Sequence, residues 1–160
     1  DDGEKLIVRP RNLQDNATPA GSSMMAKQLA RLAAYTGDSR YDEAARGTLA
    51  VLVEAMRQYP QAFGEALSAA DMLVTGLAEV AVVGSPEAAR DLLATIQTPY
   101  RPNAVTALSA SNVDDEHVIP LLSYRTMKNG EPTAYVCRNF TCRMPVTTPT
   151  EVSDLLRPGV

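Results

Sequence analysis

The sequence predicts a mixed α and α/β fold: helical hairpins in the first half, followed by a small three-stranded parallel α/β tail. Two patterns carry this reading. Between residues 18 and 78, apolar side chains recur every three or four positions, the period of an amphipathic helix. After residue 79 the period changes. Two short, largely apolar runs, Val80-Ala81-Val82-Val83 and Ala104-Val105-Thr106-Ala107-Leu108, flank a helical stretch, as expected for parallel strands joined by a crossover helix, the first buried on both faces. The expected organisation is therefore residues 1–78, a short strand plus three helices, and residues 79–160, the α/β part.

The chain opens with Leu6-Ile7-Val8, a brief strand, and a polar loop through Asp15-Asn16. Thr18 as N-cap and Pro19 at the first helical position predict a helix that ends at Gly37, with Leu29, Leu32 and Ala33 marking its inner face. Asp38 or Ser39 caps a second helix, along which Tyr41, Ala45, Leu49, Leu52, Val53 and Met56 form one stripe up to Pro60. A third helix carries Phe63, Leu67, Ala70, Val74 and Leu77. Short loops between such helices imply antiparallel neighbours. In the second part, Ser85-Pro86-Glu87 starts a helix that runs to about Gln97. Residues 114–122 are expected to form a short helix, Asn129-Gly130 a turn, and Thr133-Ala134-Tyr135-Val136-Cys137 the third strand. Thr148-Pro149-Thr150-Glu151 is a capping box that opens a final helix.

Composition bounds the function. The 160 residues, 45% hydrophobic and 21% charged with a net charge of −4, suffice for about one domain with a real core and exclude disorder. Fifteen Lys and Arg against nineteen Asp and Glu give no footprint for nucleic acid or an anionic membrane. No apolar run reaches membrane-spanning length, and the acidic start is unlike a signal peptide, so the cytoplasm is the expected compartment. The start at Asp1, directly before a strand, suggests trimming. One His and two Cys make a metal site hard to assemble, and no cofactor is expected.

Two stretches bring a resemblance. LIVRPRNLQDNATPAGSSMMAKQLARLAAYTGDSRY and TAYVCRNFTCRMPVTTPTEV resemble the C-terminal third of the thioredoxin-domain-containing family of bacterial YyaL and spermatogenesis-associated protein 20, and the resemblance extends over nearly the whole chain. It implies a longer parent with an N-terminal thioredoxin-like domain and a helical barrel similar to the (α/α)6, six-hairpin glycosidase-like barrel of N-acylglucosamine 2-epimerases. Residues 1–78 would then be the end of that barrel. Where the family has serine and asparagine in a PSGNS stretch, this chain has Ala20 and Ser22, which weakens any role for those two side chains.

The candidate site residues fall in two groups. Asp15, Asn16, Thr18, Ser22 and Ser23 surround a helix start, where backbone N–H groups and hydroxyls could hold a sugar or an anion. The competing reading is plain helix capping. Arg9 and Arg11 could pair with Asp15 or with a bound carboxylate, or be solvated charge. The second group is Cys137 and Cys142. In an extended strand they would stand about 16 Å apart, so pairing requires a turn at Asn139-Phe140. The leading expectation is a small apolar strand residue, the alternatives a redox pair or metal ligation. Exchange with the parent's thioredoxin domain is the sharpest form of the redox reading. Val82-Val83-Gly84-Ser85 has one glycine only, and reads better as a capped junction than as a phosphate turn. His117 reads as a structural histidine. Epimerase chemistry needs two acid/base groups, so it does not carry over to a segment with one His.

The expected function is thus a structural or interaction module with no catalysis of its own, whose partner is the rest of the parent chain and, for the isolated piece, a second copy. The rivals are part of a carbohydrate-binding or carbohydrate-modifying barrel enzyme, with Asp15 as acid or base, and a thiol redox accessory module using Cys137 and Cys142.

Overall fold

Small side chains decide how the first helices pack. The structure, a computed structural model, describes residues 12–139 and 141–157; the strand expected at Leu6-Ile7-Val8, Arg9, Arg11 and Phe140 lie outside them. Helix α1 (Gly21–Thr36) turns Ser23, Ala26, Ala30, Ala33 and Ala34 inward, and α4 (Gly64–Thr75) answers with Ala66, Ala69 and Met72. Alanine stripes let two backbones approach closely. The Lys27–Glu65 ion pair at 3.0 Å ties the same two helices. Gly37, at φ 70°, ends α1 by donating its N–H to Ala33 O, the left-handed cap that glycine adopts freely. Asp38 then caps α2 (Ser39–Ala50) by accepting from the Arg40 N–H.

The second predicted helix is two. It breaks at Val51-Leu52, and α3 (Val53–Gln58) follows. The Leu52 N–H reaches back only three residues, to Leu49 O, while its side chain is buried with Leu49, Met56, Phe63 and Ala66. Tightening the turn drives Leu52 into this core and leaves Val51 outside, 78% exposed.

The sheet corrects the predicted tail. It has four strands in the order β2-β1-β3-β4, with β1 (Ala78–Val83), β2 (Ala104–Ser109), β3 (Thr133–Arg138) and β4 (Thr141–Cys142). The β1–β2 pair is parallel as expected, joined through α5 (Arg90–Gln97), but β3 runs antiparallel to β1, and β4 to β3. The register gives the reason. Ser109, the end of β2, and Thr133, the start of β3, both pair with Val83, so residues 110–132 stay at one end of the sheet. No helix carries the chain back across it, and the next strand must run the other way.

That segment also lacks the short helix expected at 114–122; only Pro120–Leu122 makes a 3-10 turn. Side chains take the N–H groups a helix would use. The His117 N–H donates to Ser123 Oγ and the Ile119 N–H to His117 Nδ1, both at 2.9 Å, the competition that keeps such sequences out of helices. His117 is thus a hydrogen-bonded turn residue.

Strand β1 is buried along its whole length, between two cores. Ala81 and Val83 face Ala30, Ala34, Met72 and Tyr135 on the side of α1 and α4, while Val80 and Val82 face Leu92, Ile96 and Val152 on the side of α5 and α6 (Pro149–Leu155). Alternation along the strand therefore builds a helix, sheet, helix sandwich. The last helix opens on the predicted capping box, with the Glu151 N–H donating to Thr148 Oγ1 and the Thr148 N–H to Glu151 Oε2.

Candidate functional site

At Cys137 the alternation places a sulfur on the face of the sheet that packs against α1. Thr133, Tyr135 and Cys137 share one face of β3, and Cys137 stands in register with Glu79 on one side and Cys142 on the other. Arg138 pairs with Thr141, so the hairpin closes on two residues. Asn139 takes φ 50°, the left-handed conformation asparagine tolerates and such tight hairpins demand. The turn brings the two Cα atoms to 3.9 Å, and Cys137 and Cys142 are joined as a disulfide. The leading expectation, an apolar strand cysteine, describes the burial of Cys137 but not its covalent state, because a two-residue turn folds the extended-chain distance back on itself.

The two sulfurs have unequal surroundings. Cys137 is 2% exposed, whereas both residues of the edge strand β4 are exposed. Arg125 lies against the bridge: its Nη2 is 3.2 Å from Cys142 Sγ and 3.8 Å from Cys137 Sγ. The same guanidinium stacks over the Tyr135 ring, 4.8 Å from the centroid, a contact that orients as well as attracts. Tyr135 is itself fixed, its hydroxyl donating to Thr126 O at 2.7 Å. Among the described residues, Arg125 Nε is buried without a hydrogen-bond partner. A groove of about 140 Å³ runs over the bridge, lined by Tyr35, Gly37, Glu79, Pro120, Leu121 and Arg125 among others.

The Asp15 segment is arranged differently. Asp15 Oδ1 accepts from the Ala20 N–H at 2.8 Å, and Oδ2 accepts from the N–H groups of Glu65 and Ala66 at 2.9 and 3.0 Å. Its own N–H donates to Ala62 O. Burial raises the carboxyl pKa, but the N–H groups of Ala20 and Ala66, the nearby Ser23 hydroxyl and the Glu65 N–H together outweigh it and hold the group below its ordinary value. The Ser23 hydroxyl is close enough to favour the charge without meeting hydrogen-bond geometry, and Ser22 Oγ likewise has no partner among the described residues. Helix α1 consequently starts at Gly21 and not after Thr18, which is exposed like Asn16. A carboxylate engaged by three backbone N–H groups is the geometry of a cap.

The two groups of candidates are not brought together. Asp15 sits at the start of α1 and the disulfide groove at its end, and sixteen helical residues span about 24 Å. The Gly84 turn offers no phosphate cradle, since a Cβ there would lie 3.0 Å from Pro132 Cβ. Sequence reasoning missed Arg125, Glu79 and Tyr35. Glu79 carried a readable signal, a carboxylate inside an otherwise apolar strand and only 5% exposed. Arg125 carried none, because its contact crosses the irregular segment 110–132. Among the described residues, no three or more His, Cys, Asp or Glu converge as metal ligands, and no helix is long and apolar enough to cross a membrane.

No protein-family model matches the chain, and no solved structure does. The chain is similar to spermatogenesis-associated protein 20 of Homo sapiens, with 30% identity over 160 residues that make up 98% of this chain and 20% of that protein. The protein of the same name from Mus musculus is 29% identical over 158 residues, and that of Rattus norvegicus 30% over 158, each covering 96% of this chain and 20% of the relative. The match falls on the C-terminal part of the longer protein, and the chain spans about a fifth of the length of the curated relatives it matches.

Proposed function

We propose, from the likeness to the C-terminal part of spermatogenesis-associated protein 20, that this chain is a packing module of a longer thioredoxin-domain-containing protein and performs no catalysis of its own. Residues 1–78 supply the last hairpins of an (α/α)6-type barrel, and residues 79–160 form the sheet that closes its end.

The observation that carries this reading is the apolar side chains turned away from the described core. Met25, and Leu32 contrary to its expected place on the inner face, lie on the side of α1 opposite its buried stripe, 57% and 42% exposed, and Val74, expected in the apolar stripe of its helix, is 84% exposed on α4. Seven-residue spacing keeps Met25 and Leu32 on one helix face, where further barrel helices would cover them. The carbohydrate reading draws less support, because the oxygens of Asp15 are engaged by backbone N–H groups.

Sedimentation of the isolated chain across a concentration series tests the proposal. Uncovered apolar faces associate, so the expected result is reversible oligomers that become monomers in a Met25→Glu, Leu32→Glu, Val74→Glu variant. A native chain that stays monomeric throughout, without binding a hydrophobic dye, contradicts it.

A further inference from the structure

We infer that Cys142 is the point of attack of a thiol–disulfide exchange site, which takes a dithiol as co-reactant and uses Arg125 to hold the departing sulfur as a thiolate. The inference is independent of the packing role and rests on three observations.

The first is asymmetry. Both cysteines line the groove, but Cys142 lies on the exposed edge strand while Cys137 is almost fully buried, so an incoming nucleophile reaches Cys142 first, and exchange follows access. The second is the cation. Arg125 Nη2 is within 3.8 Å of both sulfurs, and a neighbouring positive charge stabilises a thiolate. Its position is set by the Tyr135 ring, and its Nε has no competing partner among the described residues. The third is room: the groove over the bridge, with the apolar side chains of Tyr35, Pro120 and Leu121 on its walls, admits a cysteine side chain.

The chemistry balances with a dithiol. Its thiolate attacks Cys142 Sγ, forming a mixed disulfide, and Cys137 leaves as a thiolate beside Arg125. The second thiol of the reductant, having lost its proton to solvent, attacks its own bridged sulfur and releases the Cys142 thiolate. The dithiol gives up two electrons and the bridge gains them; two protons pass through solvent to Cys137 and Cys142. A monothiol goes no further than the mixed disulfide, which Cys137, held 3.9 Å away between Cα atoms, reverses before a second molecule arrives unless its thiolate is alkylated first.

The experiment mixes the oxidised chain with a purified thioredoxin whose resolving cysteine is replaced by serine, and quenches with N-ethylmaleimide. The expected product carries the thioredoxin on Cys142 and the maleimide on Cys137, as read by peptide mass. In parallel, dithiothreitol exposes two thiols per chain while glutathione leaves the bridge largely closed. Arg125→Gln slows formation of the adduct by about tenfold and Arg125→Lys retains most of the rate, with circular dichroism reporting the fold of each. In a Cys137→Ser chain, Arg125→Gln also moves the alkylation profile of Cys142 to higher pH, which a purely structural arginine would leave in place. An adduct on Cys137, no adduct at all, or a folded Arg125→Gln chain that reacts at the native rate overturns the inference.

Discussion

The carboxylate of Asp15 accepts a hydrogen bond from the backbone N–H of Glu65 at 2.9 Å, fifty positions further along the chain. With Ala66 and Ala20 held by the same group, one side chain closes the starts of both α4 and α1, neither of which has a side-chain cap at its own N-cap residue. Asp15→Ala orphans three N–H groups. The expected loss is roughly 1–2 kcal/mol, since water reaches this half-buried site and takes up part of the deficit. It is read as a lower urea midpoint at unchanged slope.

The same carboxylate makes stability depend on acid. Its folded pKa lies below the ordinary 3.8, so its contribution is complete above that value and is lost as pH falls through the lowered one. Urea titrations of the native chain and Asp15→Asn, from neutral pH into the acid range, should show a stability gap that is widest at neutral pH and closes below 3.8. A gap that widens in acid would contradict the assignment.

Gly84 ends β1 with φ 145°, and Pro132 fills the place where a side chain would stand. Gly84→Ala combines a conformation foreign to alanine with a collision against a ring, for an expected cost of about 2 kcal/mol or more. Thermal unfolding measures it, and a variant as stable as the native chain would mean that the 110–132 segment shifts freely off the sheet.

Removing the disulfide costs less than its covalent nature suggests. A bridge between residues five apart restricts the unfolded chain only slightly, about 2 kcal/mol in the chain-entropy account. Cys137→Ala with Cys142→Ala should therefore unfold at somewhat lower urea and remain cooperative. The three apolar cores, not the bridge, hold the fold together.

Local signals in the sequence were the legible ones. The Thr148 to Glu151 capping box, the stop at Gly37 and the apolar run of β1 each depend on residues a few positions apart, and each formed where the pattern put it. The direction of β3 was not legible, because it depends on where residues 110–132 travel, and no periodicity encodes that path. The start of α1 was misplaced for a related reason: Thr18 looks like a cap in its own neighbourhood, but Asp15 wins by serving a second helix remote in sequence. The site followed the same division. The need for a turn at Asn139-Phe140 could be read from spacing, whereas Arg125 reaches the bridge only through tertiary packing.

The claim that this chain is one module of a longer protein is tested most directly by the mass of the native protein in its source cells, detected with an antibody raised against these 160 residues. Relatives of which the chain spans 20% predict a species about five times its 17.2 kDa. A single species at 17.2 kDa would contradict that claim, and the uncovered faces of α1 and α4 would then need a partner outside the chain.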